Sequence, residues 1–460
     1  MAEIRETSAT SATIAPAAAG RADGARLRGT RAVAREQEHV ASWYAATTPP
    51  RTFRRFEGSE RVEVCVIGGG LTGVATTLAL SEAGIETVLL ESNRIGWGAS
   101  GRNGGQICSF FPCGDAPFVR DLGADGARRV FDLTERAKET IADVVSRYDL
   151  DCDLRWGYYN GCEGPRQMSE ARRLGEMYRR YGCGSARMVE SREESCEFVN
   201  TPRYIGGLFE ETGGHIHPLR YCLGMAEAAS GLGALIYEGS VVLGWRVLGG
   251  GQVQVYTPRG DVVADKLVVA CNAYQGFGVP RINRAIMPVG SFIVVTEPLS
   301  GIGDIFPRDV AVCTLKHLGE YYRRTSDGRV LFGARANYSG RESVRNFDEK
   351  IALAMRRMFP SLEGVKIEYS WGGTLAVTAR RAPHVGGLGG SVYFAHGYSG
   401  SGVLLTQMYG RAIAGVIGGD GGDFELLSRV RAIPFPGGRF LRGAVLTATG
   451  LYFRLDDLRK

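Results

Sequence analysis

Residues 62–73 read Val62-Glu63-Val64-Cys65-Val66-Ile67-Gly68-Gly69-Gly70-Leu71-Thr72-Gly73. A short β-branched run gives way to closely spaced glycines, and Leu71, Val74, Ala75 and Leu78 then recur at helical spacing. That order predicts strand, glycine turn and helix. Gly84 closes the helix, and Glu86 to Leu90 form a second strand ending in Glu91, roughly twenty residues past the glycines. The whole is a βαβ nucleotide-binding unit. Gly68 permits the tight turn, Gly70 lets backbone approach a pyrophosphate, and Gly73 lets helix and strand pack without an intervening side chain. Free N–H groups and the positive dipole end of the helix, with Leu71 and Thr72 in its first turn, favour a dianion. Glu91 is placed to accept hydrogen bonds from ribose hydroxyls.

FAD and NAD share this fingerprint, so the residues after Glu91 carry the choice. They run Ser92-Asn93-Arg94-Ile95-Gly96-Trp97-Gly98-Ala99-Ser100-Gly101-Arg102-Asn103-Gly104-Gly105-Gln106, too rich in glycine for a regular element. A loop of this kind leaves backbone N–H groups in need of a polar ligand or water, and a long flavin running through it supplies one. The alternative is a flexible surface loop. A third stretch repeats the first: Val392 to Ala395 reads as a strand, Gly397-Tyr398-Ser399-Gly400-Ser401-Gly402 as a tight loop, and Val403 onward as a helix. A helix starting there would favour negative charge on a reduced flavin; an ordinary glycine-capped turn is the plainer alternative.

On these three stretches, and on Ser42-Trp43-Tyr44-Ala45-Ala46 ahead of the first strand, the chain resembles the D-amino-acid oxidase superfamily of FAD enzymes. Within it, the resemblance is to the amine-oxidising branch that includes gamma-glutamylputrescine oxidoreductases. It spans nearly everything from Ser42 onward and implies a two-domain flavoprotein that oxidises a C–N bond. It further implies that the backbone of Val242 meets the adenine, and that Asn272 and Ala273 turn near the cofactor. Three departures stand out. Amino-acid oxidases of the superfamily carry an arginine a few residues past the position of Trp371, to pair with a carboxylate, and here Leu375 stands there. Ala379 precedes Arg380 where Asp or Asn is common, and Ser401 occupies a position where His is common.

The remainder is read from pattern. A helix opens at His217-Pro218-Leu219 and stops at Gly231, followed by a strand from Ala234 to Tyr237. Val253 to Val263 form a hairpin turning at Pro258-Arg259-Gly260, and Lys266 to Cys271 a buried strand. Strand-like runs at Ser291–Thr296, Tyr321–Thr325 and Arg329–Phe332 predict a separate sheet. The expected fold class is mixed α/β: a Rossmann-like FAD-binding domain (39–150, 205–283, 370–440) and a sheet-based substrate domain (151–204, 284–369), both discontinuous. Residues 1–38, poor in large apolar groups, read as a mobile tail, and 441–460 as a segment packing on the FAD domain.

At 460 residues the chain suits two domains, and 44% hydrophobic content allows a sizeable interior. A net charge of +6 is scattered, which argues against a nucleic-acid partner. Ten cysteines without a CxxC pair or Cys/His cluster argue for a reducing compartment and no metal. With neither a membrane-length apolar run nor a signal peptide core, a cytoplasmic protein is expected.

Aromatic candidates for a substrate wall are Trp97, Trp156, Tyr158, Tyr159, Tyr321, Tyr322 and Trp371, although each also suits plain core. Trp97, Tyr322, Trp371 and His396 are the expected catalytic set, with His384 and His396 near the flavin loops as proton carriers or structural groups. The expected reaction takes hydride from the carbon beside a neutral amine, with oxygen or another acceptor restoring the flavin. A quinone- or partner-linked dehydrogenase of sarcosine, proline or another amino acid, and a noncatalytic flavin-binding subunit, remain as rivals.

Overall fold

The apolar run around Val62 becomes the strand Gly58–Ile67 in the computed structural model, which describes residues 37–183, 185–274, 279–316, 319–337 and 346–435. From Val64 its side chains are buried on both faces, as befits a strand inside a covered parallel sheet. It pairs in parallel with Thr87–Leu90 on one side and Gly260–Val269 on the other. Leu235–Tyr237 and Val392–His396 extend the parallel set outward, and antiparallel His384–Leu388 forms one edge. The predicted hairpin is present: Val253–Thr257 returns through Pro258-Arg259 into Gly260–Val269.

The expected second sheet is also present, with strands in the spatial order Ile367–Thr378, Ile286–Thr296, Val330–Asn337, Glu320–Arg324, Ala311–Thr314, Arg155–Cys162, Gly206–His215 and Gln106–Ile107. Ala186–Val189 pairs beside Gly206–His215. Three of these strands, Gln106–Ile107, Gly206–His215 and most of Ile367–Thr378, come from segments expected in the first domain. Gly206–His215 reads poorly as a strand because it carries Gly206, Gly207, Gly213 and Gly214. The glycines admit close neighbours: a Cβ on Gly207 would stand 2.3 Å from Asn160 O and 2.7 Å from the Tyr159 ring, and one on Gly214 2.2 Å from Arg155 O.

Around the first sheet, helix Leu71–Glu82 packs between Pro218–Gly231 and Gly402–Ile417. The second sheet carries helix Phe347–Met358 on one face, where Ile351, Met355 and Met358 join Tyr159, Tyr322 and Phe332 in a core. Its other face looks toward the carboxyl ends of the first sheet. Gln37 and Glu38, expected in the mobile tail, are held: Gln37 N–H donates to Asn93 Oδ1 and Arg94 pairs with Glu38. The rest of that tail, and the expected packing segment 441–460, lie outside the described residues. Among the described residues, no helix is long and apolar enough to cross a membrane.

Candidate active site

Three neighbouring parallel strands end together. After Ile67 the chain turns at Gly68, whose φ of +108° suits glycine and whose Cβ, if present, would lie 2.8 Å from Ala270 O. A Cβ on Gly73 would fall 1.9 Å from Gly68 O, so helix and strand touch backbone to backbone. Glu91 secures this turn from the next strand. Its Oε2 accepts from Gly69 N–H at 2.7 Å, and its Oε1 from Asn93 N–H at 2.8 Å and Ser92 Oγ at 3.2 Å. Burial pushes the Glu91 carboxyl above the usual range, and these donors oppose the push.

Helix Leu71–Glu82 starts without a side-chain cap from Gly70, its Leu71 N–H donating to Ser100 Oγ at 2.9 Å. Helix Gly402–Ile417 likewise starts uncapped at Ser401. The two starts are joined where Thr72 Oγ1 and Tyr398 Oη stand 2.8 Å apart. Asn272, at the end of Gly260–Val269, accepts from Gly397 N–H at 3.0 Å. Beyond the Leu71 N–H, which Ser100 takes up, helix starts whose N-cap residue makes no cap bond carry N–H groups and partial positive charge that favour an anion in this corner.

A cavity of about 350 Å³ opens from that corner. Gly70, Leu71, Thr72 and Asn272 floor it together with Gly400, Ser401, Gly402 and Val403. The glycine-rich loop contributes Ala99, Ser100, Arg102, Asn103, Gly104 and Gln106 to the wall. That loop is braced. Asn103 Nδ2 donates to Ala99 O and Ser100 O, while its Oδ1 accepts from Gly105 N–H. Arg102 Nε donates to Trp97 O at 2.7 Å with its guanidinium over the Trp97 ring, and Trp371 Nε1 donates to Arg102 O at 2.9 Å. Buried Arg323 donates from Nε to Gly104 O at 3.0 Å, and Gln106 Nε2 donates to Val312 O at 2.8 Å.

The second sheet covers the cavity with one face. Register places Asn160, Cys313, Tyr321 and Gly333 in a row across four adjacent strands. The first three of them border the cavity, and Tyr321 Oη lies 3.0 Å from Ser291 Oγ. One residue along each strand, Tyr159, Val312, Tyr322 and Phe332 make the corresponding row on the opposite face, inside the core.

The sequence pattern of the family described as FAD dependent oxidoreductase matches residues 63–415. The chain belongs to that family. It is 35% identical over 430 residues to gamma-glutamylputrescine oxidoreductase of Escherichia coli (strain K12), covering 91% of this chain and 99% of that protein. A probable oxidoreductase OrdL of Haemophilus influenzae is 34% identical over 92% of this chain and 98% of its own length. Among solved structures, L-proline dehydrogenase from P. horikoshii superposes with a TM-score of 0.68 at 22% identity, over 78% of this chain and 94% of that one, a likeness of fold.

FAD is the cofactor of this FAD-dependent oxidoreductase, and the site suits it: two helix starts without a bond from their N-cap side chains and a braced loop border one cavity. Of the positions expected to hold FAD, fourteen border the cavity, namely those just named in its floor and loop wall. The other nine do not line it. Gly68 and Gly73 shape the turn, Glu91 and Ser92 secure it, and Gly105 carries the loop bend. A Cβ on Gly98 would lie 2.9 Å from the Tyr274 ring, and one on Gly397 2.4 Å from Thr378. Val242 is buried in the core of the first sheet, and Ala273 sits in a short 3₁₀ turn.

None of the four expected catalytic residues borders the cavity. Tyr322 lies on the covered face, stacked on Phe332 and donating to Tyr204 Oη at 2.6 Å; its neighbour Tyr321 takes the cavity side. Trp371 is core and donates to Arg102 O, and Trp97 donates to Glu38 O. His396 is fully buried, 2.9 Å from His384, and burial holds its pKa well below the ordinary value. Of the other aromatic candidates, Tyr158 borders the cavity, Tyr159 is core and Trp156 is exposed. Leu375 borders the cavity as well. Sequence reasoning missed Asn160, Arg323 and Tyr398. For Asn160 the available signal was an amide side chain inside an aromatic strand, two residues from Tyr158 and so on its face.

Proposed function

We propose that this FAD-dependent oxidoreductase oxidises the C–N bond of a small amine, gamma-glutamylputrescine or a related compound, to an imine that water splits to an aldehyde. The observation that carries the reading is the cavity itself, which runs from two uncapped helix starts to a roof strand where Leu375 stands in place of a carboxylate-binding arginine. A free α-amino acid held by its carboxylate beside the reacting carbon lacks its usual partner from this strand. Full-length likeness to gamma-glutamylputrescine oxidoreductase supports the choice of amine.

In this reading the first sheet and its loop hold the cofactor, with Gly70 to Thr72 facing the pyrophosphate and Glu91 the ribose. The second sheet holds the substrate. FAD, when bound, accepts the hydride from the carbon beside the nitrogen, and oxygen or another acceptor later takes the electrons. The chain orients and stabilises. N–H groups at the start of Gly402–Ile417 favour negative charge arising at their end of the cavity. The faces of Tyr158 and Tyr321 take up an alkyl chain or an ammonium head, and the roof keeps bulk water from the reacting carbon. The amine nitrogen gives up its proton before hydride leaves the carbon, so that carbon and nitrogen finish as C=N. All ten cysteines are free, which supports a reducing, cytoplasmic setting.

Anaerobic mixing of the flavin-loaded protein with polyamines, acylated polyamines, N-methyl amino acids and free amino acids tests this. Bleaching of the flavin absorption by the acylated polyamines is the expected result. Bleaching by D- or L-amino acids alone overturns the substrate class, and no bleaching by any amine beside stable capture of a partner protein overturns catalysis. Oxygen uptake without peroxide assigns the electrons to another acceptor.

A further inference from the structure

Asn160 lies in strand Arg155–Cys162, wholly buried, and neither its Oδ1 nor its Nδ2 has a hydrogen-bond partner. Strand alternation puts it on the face of Tyr158, and register sets it beside Cys313; all three border the cavity. A buried carboxamide unsatisfied at both atoms is rare in folded proteins, because losing water without replacement is costly. Such a group calls for a partner that brings an acceptor and a donor together.

The surroundings narrow the partner. Lys316 lies two residues past strand Ala311–Thr314, which pairs beside Asn160 and is followed by Leu315 N–H donating to Gly161 O at 3.3 Å, and Glu170 stands on helix Pro165–Tyr181, which packs on Asn160's own strand. Both border the same cavity. Lys316 Nζ lies 2.8 Å from Glu163 Oε1 and 3.6 Å from Glu320 Oε2, and the third N–H of its ammonium is left to offer. Asn160 stands two strands beyond Tyr321, the ring against Gly104, which at the usual strand spacing sets it about 10 Å from that ring across the sheet.

We propose that Asn160, with Glu170 and Lys316, forms a distal subsite for an α-ammonium carboxylate, so that the substrate is an amine whose far end is an amino acid. Oδ1 accepts from the ammonium and Nδ2 donates to the carboxylate, two groups on one carbon that match the side-by-side atoms of the carboxamide. The inference rests on the amine-oxidation reading and explains how a cavity with Leu375 near the reacting end still selects an amino acid at the other. Glu170 adds a carboxylate on the ammonium side, and Lys316, already paired with Glu163, a donor on the carboxylate side.

The experiment compares kcat/KM of the flavin-loaded wild type, Asn160→Leu and Asn160→Ala on gamma-glutamylputrescine, which carries the amino-acid end, and on N-acetylputrescine, which carries only the amide. The preference for the gamma-glutamyl compound is expected to fall about 10- to 100-fold in both variants. An unchanged preference overturns the subsite while leaving amine oxidation intact. Equal losses on both acylated amines, relative to putrescine, reassign Asn160 to the amide and also overturn it. Wild-type protein that oxidises none of the three removes the underlying reading as well. The thermal midpoint without amine is a second measure: Asn160→Leu is expected at or above wild type, since an unsatisfied amide is removed, and a clear fall overturns the premise.

Discussion

The first sheet meets the cavity with the ends of its strands, and the second with a face. At the strand ends the useful atoms are backbone N–H groups, set by glycines that admit close contacts at Gly68 and Gly73. On the face the useful atoms are side chains, and their side of the sheet follows from strand parity, with Tyr321 turned to the cavity and Tyr322 away from it. In the proposed reading, the cofactor end therefore depends on the shape of the main chain, whereas the substrate end depends on register.

Breaking the first half of that contrast carries the largest effect. Gly73→Ala puts a methyl 1.9 Å from Gly68 O, forcing helix and strand apart at a cost of about 3 kcal/mol or more. Flavin absorbance per protein after purification should fall to about a tenth of wild type or less by the same measure. A variant that retains full flavin would show that the turn need not be tight.

Acid sharpens the contrast by asking which sheet yields first. Burial lowers the pKa of His215, in the second sheet, to about 4, and holds His396, in the first, well below its ordinary value. Because the folded value lies beneath the unfolded one, the unfolded chain binds a proton that the folded chain refuses. Stability is therefore whole above about pH 6.5 and declines as pH falls toward 4, by about 1.4 kcal/mol per pH unit for each such ring. Thermal midpoints measured from pH 7 to 4.5 should drop, and His215→Gln and His396→Gln should each flatten the drop. The larger flattening identifies the more sensitive sheet, and an unaltered profile in both refutes the role of these rings.

The smallest effect tests parity itself. Tyr321→Phe removes the hydroxyl beside Ser291 and is expected to change kcat/KM for the amine about 3- to 10-fold. Tyr322→Phe removes a bond to Tyr204 and is expected to cost about 1 kcal/mol of stability, with steady-state kinetics unmoved. Reversed results would mean that the opposite face serves the substrate.

The same contrast explains what could be read in advance. Gly68 to Gly73, the loop from Ala99 to Gln106 and Gly400 to Val403 were legible because glycine spacing reports backbone shape directly, and the hairpin at Pro258-Arg259 for the same reason. Tyr321 and Tyr322 are adjacent and identical, so no local property of the chain says which faces inward; only pairing with Gly333 and Phe332 decides it. Arg323 was hidden similarly: its value lies in reaching Gly104 O across the fold. Strand Gly206–His215 escaped because its glycines weaken strand propensity, and its stability comes from neighbours on both sides.

The central strand Gly58–Ile67 finds one parallel neighbour close by, at Thr87–Leu90, but the other, Gly260–Val269, some two hundred residues later; that one leans on Val392–His396. A ribosome delivers the chain from its N-terminus, so the first glycine turn emerges long before the floor that completes its cavity at Ser401. The cradle is thereby complete only at the closing stage of biosynthesis, and a polypeptide released early, short of residue 400, would leave the translation machinery with half of it.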